Sequence, residues 1–187
     1  VARANELSIG GVKRVVAFDR ELALYRTESG VPVVQDAFCP HLGAHLGVDG
    51  RVVGERIQCP FHGWEFGKSG DCESIPYCEE IPSRAKLRTW PTTEKNGEIY
   101  MWFHPENSEP QWEVPELAEL GHPDWSSPRH AEFDVPAHVQ DIAENSCDPV
   151  HFAYVHRQPD VPPSEVTVED NGRILHLHSD ASQAEIP

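Results

Sequence analysis

Two short stretches, Cys39-Pro40-His41-Leu42-Gly43 and Cys59-Pro60-Phe61-His62-Gly63-Trp64, decide how this chain is read. They spell Cys-x-His, seventeen intervening residues, then Cys-x-x-His, so each of two loops offers one thiolate and one imidazole. A cluster of two irons and two sulfides, one iron held by two thiolates and the other by two imidazoles, needs this mixed supply. A structural zinc site can also take two Cys and two His, although zinc ribbons usually pair Cys with Cys in one loop and His with His in the other. Under either reading Cys39, His41, Cys59 and His62 are the metal ligands, and the mixed loops favour the iron cluster. Gly43 and Gly63 are expected to let backbone amides approach the sulfides, with Trp64 and Leu46 shielding the group from water. With four ligand places filled, Cys72 and Cys78 are expected to pack or stand free, and His45 to be a structural neighbour.

Outward from these loops, the first hundred residues read as short strands. Residues 12–18, 22–27, 31–38 and 51–59 combine β-branched or aromatic side chains with turn-forming breaks, and 86–92 and 98–103 follow. Asp49-Gly50 is a hairpin signal, and Asn96-Gly97 suits the left-handed dihedrals of a tight turn between paired strands. From 105 to 136 the texture changes to Pro, Glu, Trp and His with little periodicity, as a connection between domains would show. The organisation read here is residues 1–115 as one domain and 116–187 as the start of a second. The class is α+β and mostly β. No internal repeat or low-complexity tract is present.

A second constellation lies in 136–156, which reads as helix interrupted at Asp148-Pro149. The stretch contains Asn145, Asp148, His151 and His156 in the order Glu-Asn-x-x-Asp-x-x-His-x-x-x-x-His. Two histidines five apart sit about 140° apart on an ideal helix, so convergence on one ion needs a distorted turn, for which Pro149 offers a place. An open mononuclear iron(II) site needs two imidazoles and one carboxylate on one face. Alone, such a pair is more often surface or capping histidine than ligand. Residues 164–179 alternate in a strand-like way, and His104, His122, His130, His138, His176 and His178 have no ligand-type company.

The Cys-Pro-His-Leu-Gly and Cys-Pro-Phe-His-Gly-Trp loops, followed by this Asp-His-His segment, resemble the oxygenase α subunits of the Rieske non-haem iron oxygenases. The resemblance implies a three-sheet β domain, then an incomplete catalytic domain of helix-grip type. It implies a [2Fe-2S] cluster on the four loop ligands and a mononuclear Fe(II) on His151 and His156. The third iron ligand in that family is a carboxylate far downstream. Asp160, Asp170 and Asp180 do not match its context, so none is assigned, and the catalytic domain is expected to continue past Pro187. The resemblance also gives Asp148 a role, joining His151 to a cluster histidine, His62, of a neighbouring subunit, and so implies a head-to-tail ring, a homotrimer. Asn145 is a possible hydrogen-bond donor beside that site.

Imidazole ligation sets the potential of such a cluster at ~−150 to +300 mV, suited to electrons from NAD(P)H delivered by a ferredoxin or a flavin or iron–sulfur reductase. The implied function is O2 activation by a terminal oxygenase, acting as monooxygenase, desaturase or dioxygenase on a hydrophobic ring substrate. Leu42 follows His41 where ring-hydroxylating dioxygenases carry Arg. The wording CPHLGAHL and CPFHGWEF is similar to the steroid 9α-hydroxylase and cholesterol desaturase branch. The alternative is a ferredoxin-like electron carrier whose downstream helix is structural.

Bulk properties bound these readings. Across 187 residues there are 39% hydrophobic residues and 17 prolines, a loop-rich globular composition. A formal net charge of −16 excludes a nucleic-acid binder, which needs a basic face. Five cysteines without a small-scaffold framework point to a reducing, cytoplasmic setting. No apolar run long enough to span a membrane occurs. Met101 is the sole methionine, which leaves room for an anchor upstream of Val1.

Overall fold

The computed structural model describes residues 1–169, 172 and 174–180, so Asp170 lies outside the described residues. The chain divides between Pro128 and Arg129, inside the 105–136 segment read as a connection.

In Val1–Pro128 the strands are β1 (Ala2–Arg3), β2 (Val12–Ala17), β3 (Arg20–Arg26), β4 (Pro32–Asp36), β5 (Arg51–Val53), β6 (Arg56–Gln58), β7 (Glu65–Phe66), β8 (Cys72–Ser74), β9 (Thr89–Trp90), β10 (Thr92–Lys95) and β11 (Glu98–Met101). A 3-10 turn at Ala4–Glu6 and one α-helical turn, α1 (Leu46–Asp49), interrupt them. The strands form three antiparallel sheets, β1-β11-β10, β2-β3-β4-β9 and β5-β6-β7-β8, as the three-sheet expectation requires.

The middle sheet is apolar on both faces because β3 is. Leu22 and Leu24 face Val34, Trp90 and Ile99, while Ala23 and Tyr25 face Leu46, Ile57, Phe66, Cys39 and Cys59. Each large side chain so buried contributes about 1.5–3 kcal/mol, whereas exposed ion pairs such as Lys86–Asp71 are screened by solvent and contribute little. The two apolar layers therefore hold the domain, and the second layer carries the two metal-loop cysteines.

Turn chemistry separates the legible loops from the misread ones. Asn96 and Gly97 adopt positive φ between paired Lys95 and Glu98, as read from the sequence. The Asn96 side chain also bonds Pro115 O and Leu117 N, holding the following segment to this unit. Asp49-Gly50 is not a hairpin turn: Asp49 ends α1, and Gly50 caps it through Leu46 O with ordinary negative φ. The turn lies at Gly54, φ +62°, splitting the expected 51–59 strand into the β5–β6 hairpin. His45 starts α1, its Nδ1 accepting from Gly47 N at 3.1 Å while Nε2 donates to Glu21 at 3.2 Å, a structural role as expected. Paired with Arg14 and then His45, the Glu21 carboxyl is held down to about 2.

In Arg129–Pro187 two short helices, α2 (Val139–Ser146) and α3 (Val150–Tyr154), precede a hairpin of β12 (Ser164–Glu169) and β13 (Ile174–Ser179). The break between the helices falls at the expected Asp148-Pro149. His138 caps α2, its Nδ1 accepting from Gln140 N at 3.1 Å. Neither helix buries a residue, and Val139, Ile142, Val150 and Tyr154 are exposed. No helix among the described residues is long and apolar enough to cross a membrane.

Gly70 and Gly97 give a test of the packing. Both have positive φ, but a Cβ on Gly70 would lie 2.0 Å from Leu87 O, whereas one on Gly97 meets nothing within 4 Å. Gly97→Ala should cost about 1 kcal/mol from backbone strain alone, and Gly70→Ala about 3 kcal/mol or more. Denaturant unfolding of the two variants checks this; equal losses would contradict it.

Candidate metal centres

Both Cys loops follow one backbone plan. In the first, Cys39 N donates to Ala44 O at 2.9 Å and Gly43 N to Cys39 O at 2.9 Å. In the second, Cys59 N donates to Trp64 O at 2.7 Å and Gly63 N to Cys59 O at 3.1 Å. Cys-Pro-x-x-Gly recurs in both for this reason: Pro presets the turn, and glycines at φ +75° and +72° reverse the chain. Gly43 and Gly63 thus close the loops, their own amides donating to the cysteine carbonyls. With matched backbones, the one-residue offset between Cys-x-His and Cys-x-x-His sets the two imidazoles at different positions on equivalent frames.

The loops meet thiol to thiol inside and imidazole to imidazole outside. Cys39 and Cys59 are 2% and 3% exposed and share one apolar cluster, with the Cys59 thiol acting on that of Cys39. His41 is exposed and His62 half-buried, with ring centroids 4.7 Å apart at 64°. Leu46, Trp64 and both cysteines share one apolar cluster, as expected of shielding residues. Burial, opposed by the amide of His41 and reinforced by Cys59, pushes the Cys39 thiol up to about 12. A thiolate there needs a cation to displace its proton.

His62 Nδ1 is buried without a hydrogen-bond partner. An orphaned buried ring nitrogen is costly unless a proton donor or a metal takes it, so the donor set fits a metal group. Among the described residues no three His, Cys, Asp or Glu side chains converge as one ion would require. A tetrahedral zinc site needs four donors around one point, whereas a two-iron cluster divides them between two centres.

The remaining cysteines are unpaired. Cys72 is buried with its Sγ toward Ser74 O at 3.5 Å, and Cys78 is exposed with Sγ toward Glu80 O at 3.2 Å. Tyr77 escaped the sequence reading, as did the contact that Trp64 makes with it. Trp64 stacks on His41, centroids 4.6 Å apart at 6°, and donates Nε1–H to the Tyr77 hydroxyl at 2.7 Å. Nothing in sequence ties Tyr77 to either loop.

In the second unit, His151 and His156 come together with ring centroids 5.2 Å apart at 67°. The distortion that allows it is not at Pro149, which precedes both. It lies at the end of α3, where His156 N donates to His151 O at 3.4 Å in a wide i→i+5 turn. The His151 Nδ1–H donates to the Asp148 main-chain carbonyl, which leaves Nε2 as the free ligand atom. The Asp148 carboxylate instead accepts from Val150 N at 2.9 Å and starts α3. Asp148 and Asn145 are exposed. Asp160 and Asp180 do not join the histidine pair in a three-residue group.

Residues 1–91 match the Rieske [2Fe-2S] domain and residues 101–181 the 3-ketosteroid 9alpha-hydroxylase C-terminal domain. The chain belongs to the Rieske non-haem iron oxygenases. It is 45% identical over 148 residues to cholesterol 7-desaturase nvd of Xenopus laevis, covering 79% of this chain and 33% of that protein. It is 38% identical over 155 residues to the probable 3-ketosteroid-9-alpha-monooxygenase oxygenase component of Rhodococcus rhodochrous, covering 81% and 39%. The chain thus spans about a third of the length of such relatives. Among solved structures it is similar to dicamba monooxygenase bound to dicamba, with TM-score 0.71 and 30% identity over 90% of this chain and 52% of that one.

The burial pattern makes a chemical prediction. In cluster-free protein at about pH 8, iodoacetamide should label exposed Cys78 and Cys147 first and spare Cys39, whose thiolate forms only as pH nears 12. Peptide mass spectrometry reads the order, and Cys39 labelling as fast as Cys78 would contradict it.

Proposed function

We propose that this chain is part of the terminal oxygenase component of a Rieske system that activates O2 for hydroxylation or desaturation of a hydrophobic ring substrate, a steroid or sterol. The observation that carries this reading is the pair of matched Cys-Pro-x-x-Gly loops, with both thiols buried in one apolar cluster, imidazoles outside and an orphaned His62 Nδ1. The relatives named for cholesterol and 3-ketosteroid chemistry support the substrate class.

Bound, the two-iron cluster supplies a one-electron relay and the mononuclear iron supplies open coordination positions. Cys39 and Cys59 hold the cluster from the core side and His41 and His62 from the surface side, where an electron donor can approach. That donor is a ferredoxin or a flavin or iron–sulfur reductase drawing on NAD(P)H. His151 holds the mononuclear iron through the Nε2 left free by its local hydrogen bond, and His156 supplies the second imidazole. Asp148 uses one carboxylate oxygen to start α3 and has a second for a neighbouring subunit's cluster histidine, which makes the assembly a head-to-tail homotrimer. Asn145, one turn before Asp148, is a hydrogen-bond donor near that junction. Five unpaired cysteines fit a reducing, cytoplasmic setting.

A ferredoxin-like carrier is the second reading, favoured by one observation: no carboxylate among the described residues joins His151 and His156. Metal analysis separates the two. After anaerobic loading with iron and sulfide, the oxygenase holds about three irons per two sulfides and the carrier about two per two. For the bridge, Asp148→Asn keeps an oxygen for Val150 N and should retain both metals. It should slow reoxidation of the reduced cluster by substrate and O2 ~10- to 100-fold, measured by stopped-flow absorbance; an unchanged rate would refute the bridge.

A further inference from the structure

We propose that Tyr77 is a positioning residue for the ligand His41, acting through Trp64; the inference rests on the cluster reading above. Metal-bound imidazoles ordinarily have their ring plane fixed by a hydrogen bond from the second nitrogen to a carboxylate or carbonyl. His41 sits at the exposed tip of its loop, and its ring contacts are aromatic: the face of Trp64 at 4.6 Å and 6°, and the edge of His62 at 4.7 Å and 64°. A parallel plate at that spacing restrains rotation of the imidazole about its χ2 bond, provided the plate itself cannot turn.

Trp64 is well placed to be that plate. Its main-chain carbonyl closes the second loop on Cys59 N, so its backbone position is tied to one pair of ligands while its indole supports a ligand of the other loop. The indole is 8% exposed, and its one polar atom needs a partner. Tyr77 supplies it, the hydroxyl accepting from Nε1 at 2.7 Å.

Tyr77 is in turn seated by its own turn. Cys78 N bonds Ile75 O at 3.2 Å, and Pro76 lies so close over Gly63 that a Cβ there would be 3.0 Å from its Cγ. The 75–78 turn thus presses on the second loop at two points, Pro76 on Gly63 and Tyr77 on Trp64. The orientation of the surface-side imidazole is thereby set by a residue more than thirty positions away, outside both ligand motifs.

The test is a double-mutant cycle on the cluster-loaded full chain, comparing the wild type, Tyr77→Phe, Trp64→Leu and the double variant. Iron and sulfide content, the EPR spectrum of the reduced cluster and its midpoint potential at one fixed pH are measured for each. Removing the Tyr77 hydroxyl should leave metal content at the wild-type level while shifting or broadening the g-values and moving the potential. Trp64→Leu should move both further, and adding Tyr77→Phe to it should change nothing more, because the hydroxyl acts through the indole. A spectrum and potential unchanged in Tyr77→Phe, fully additive shifts, or loss of the cluster from Tyr77→Phe would each overturn the positioning role. A wild-type protein without a two-iron EPR signal would instead overturn the cluster reading, so the two failures are distinct.

Discussion

The two metal loops close on themselves before anything else holds them. Each is a six-residue ring fastened by a cysteine amide to a carbonyl five residues on and by a glycine amide back to the cysteine carbonyl. Because both closures are main-chain, the thiol positions are fixed by backbone geometry. The side chain between cysteine and glycine is then free to carry ligation chemistry. The surrounding architecture places these rings in contact. The sheet β5-β6-β7-β8 supplies the strands flanking the second loop, β4 and α1 flank the first, and the shared apolar layer under Cys39 and Cys59 presses them together.

That layer sets the electrostatics as well. A thiol held among Tyr25, Ile57 and Phe66 resists ionisation, and two adjacent thiols resist it more. Such a pocket rejects its own thiolates unless a strongly cationic group replaces both protons. On the surface side neutral imidazoles would add no negative charge to a bound cluster. The inside–outside asymmetry of the ligand set follows from which residue of each loop points into the core.

Much of this was legible in the sequence. The mixed Cys–His spacing pointed to two paired loops, Asn96-Gly97 to the hairpin and Asp148-Pro149 to the helix break, because each is local chemistry with one outcome. Where two outcomes share a dipeptide, sequence failed: Asp49-Gly50 serves a helix end as readily as a hairpin, and His45, the cap that decides it, looks like any other histidine. The turn at Gly54 inside the expected 51–59 strand was passed over because Val52-Val53 before it and Ile57 after it read as parts of one strand. Long-range partners left no local signal, which is why the Tyr77–Trp64–His41 contact was invisible. The distortion that joins His151 to His156 was expected at the proline and lies instead in a wide turn at the helix end, which no residue type announces.

The second unit shows the opposite balance. Its motif is strong in sequence and its surroundings are open, with α2 and α3 exposing Val139, Ile142 and Tyr154. Its two imidazoles are held by their own turn, and the first unit's four ligands by two closed rings on a core. The central claim, that His41 and His62 share one iron of a two-iron cluster, is tested most directly by nitrogen couplings. In protein grown with 15N-histidine, pulsed EPR of the reduced cluster should resolve two distinct directly bound histidine nitrogens. A signal with one such nitrogen or none would contradict the account.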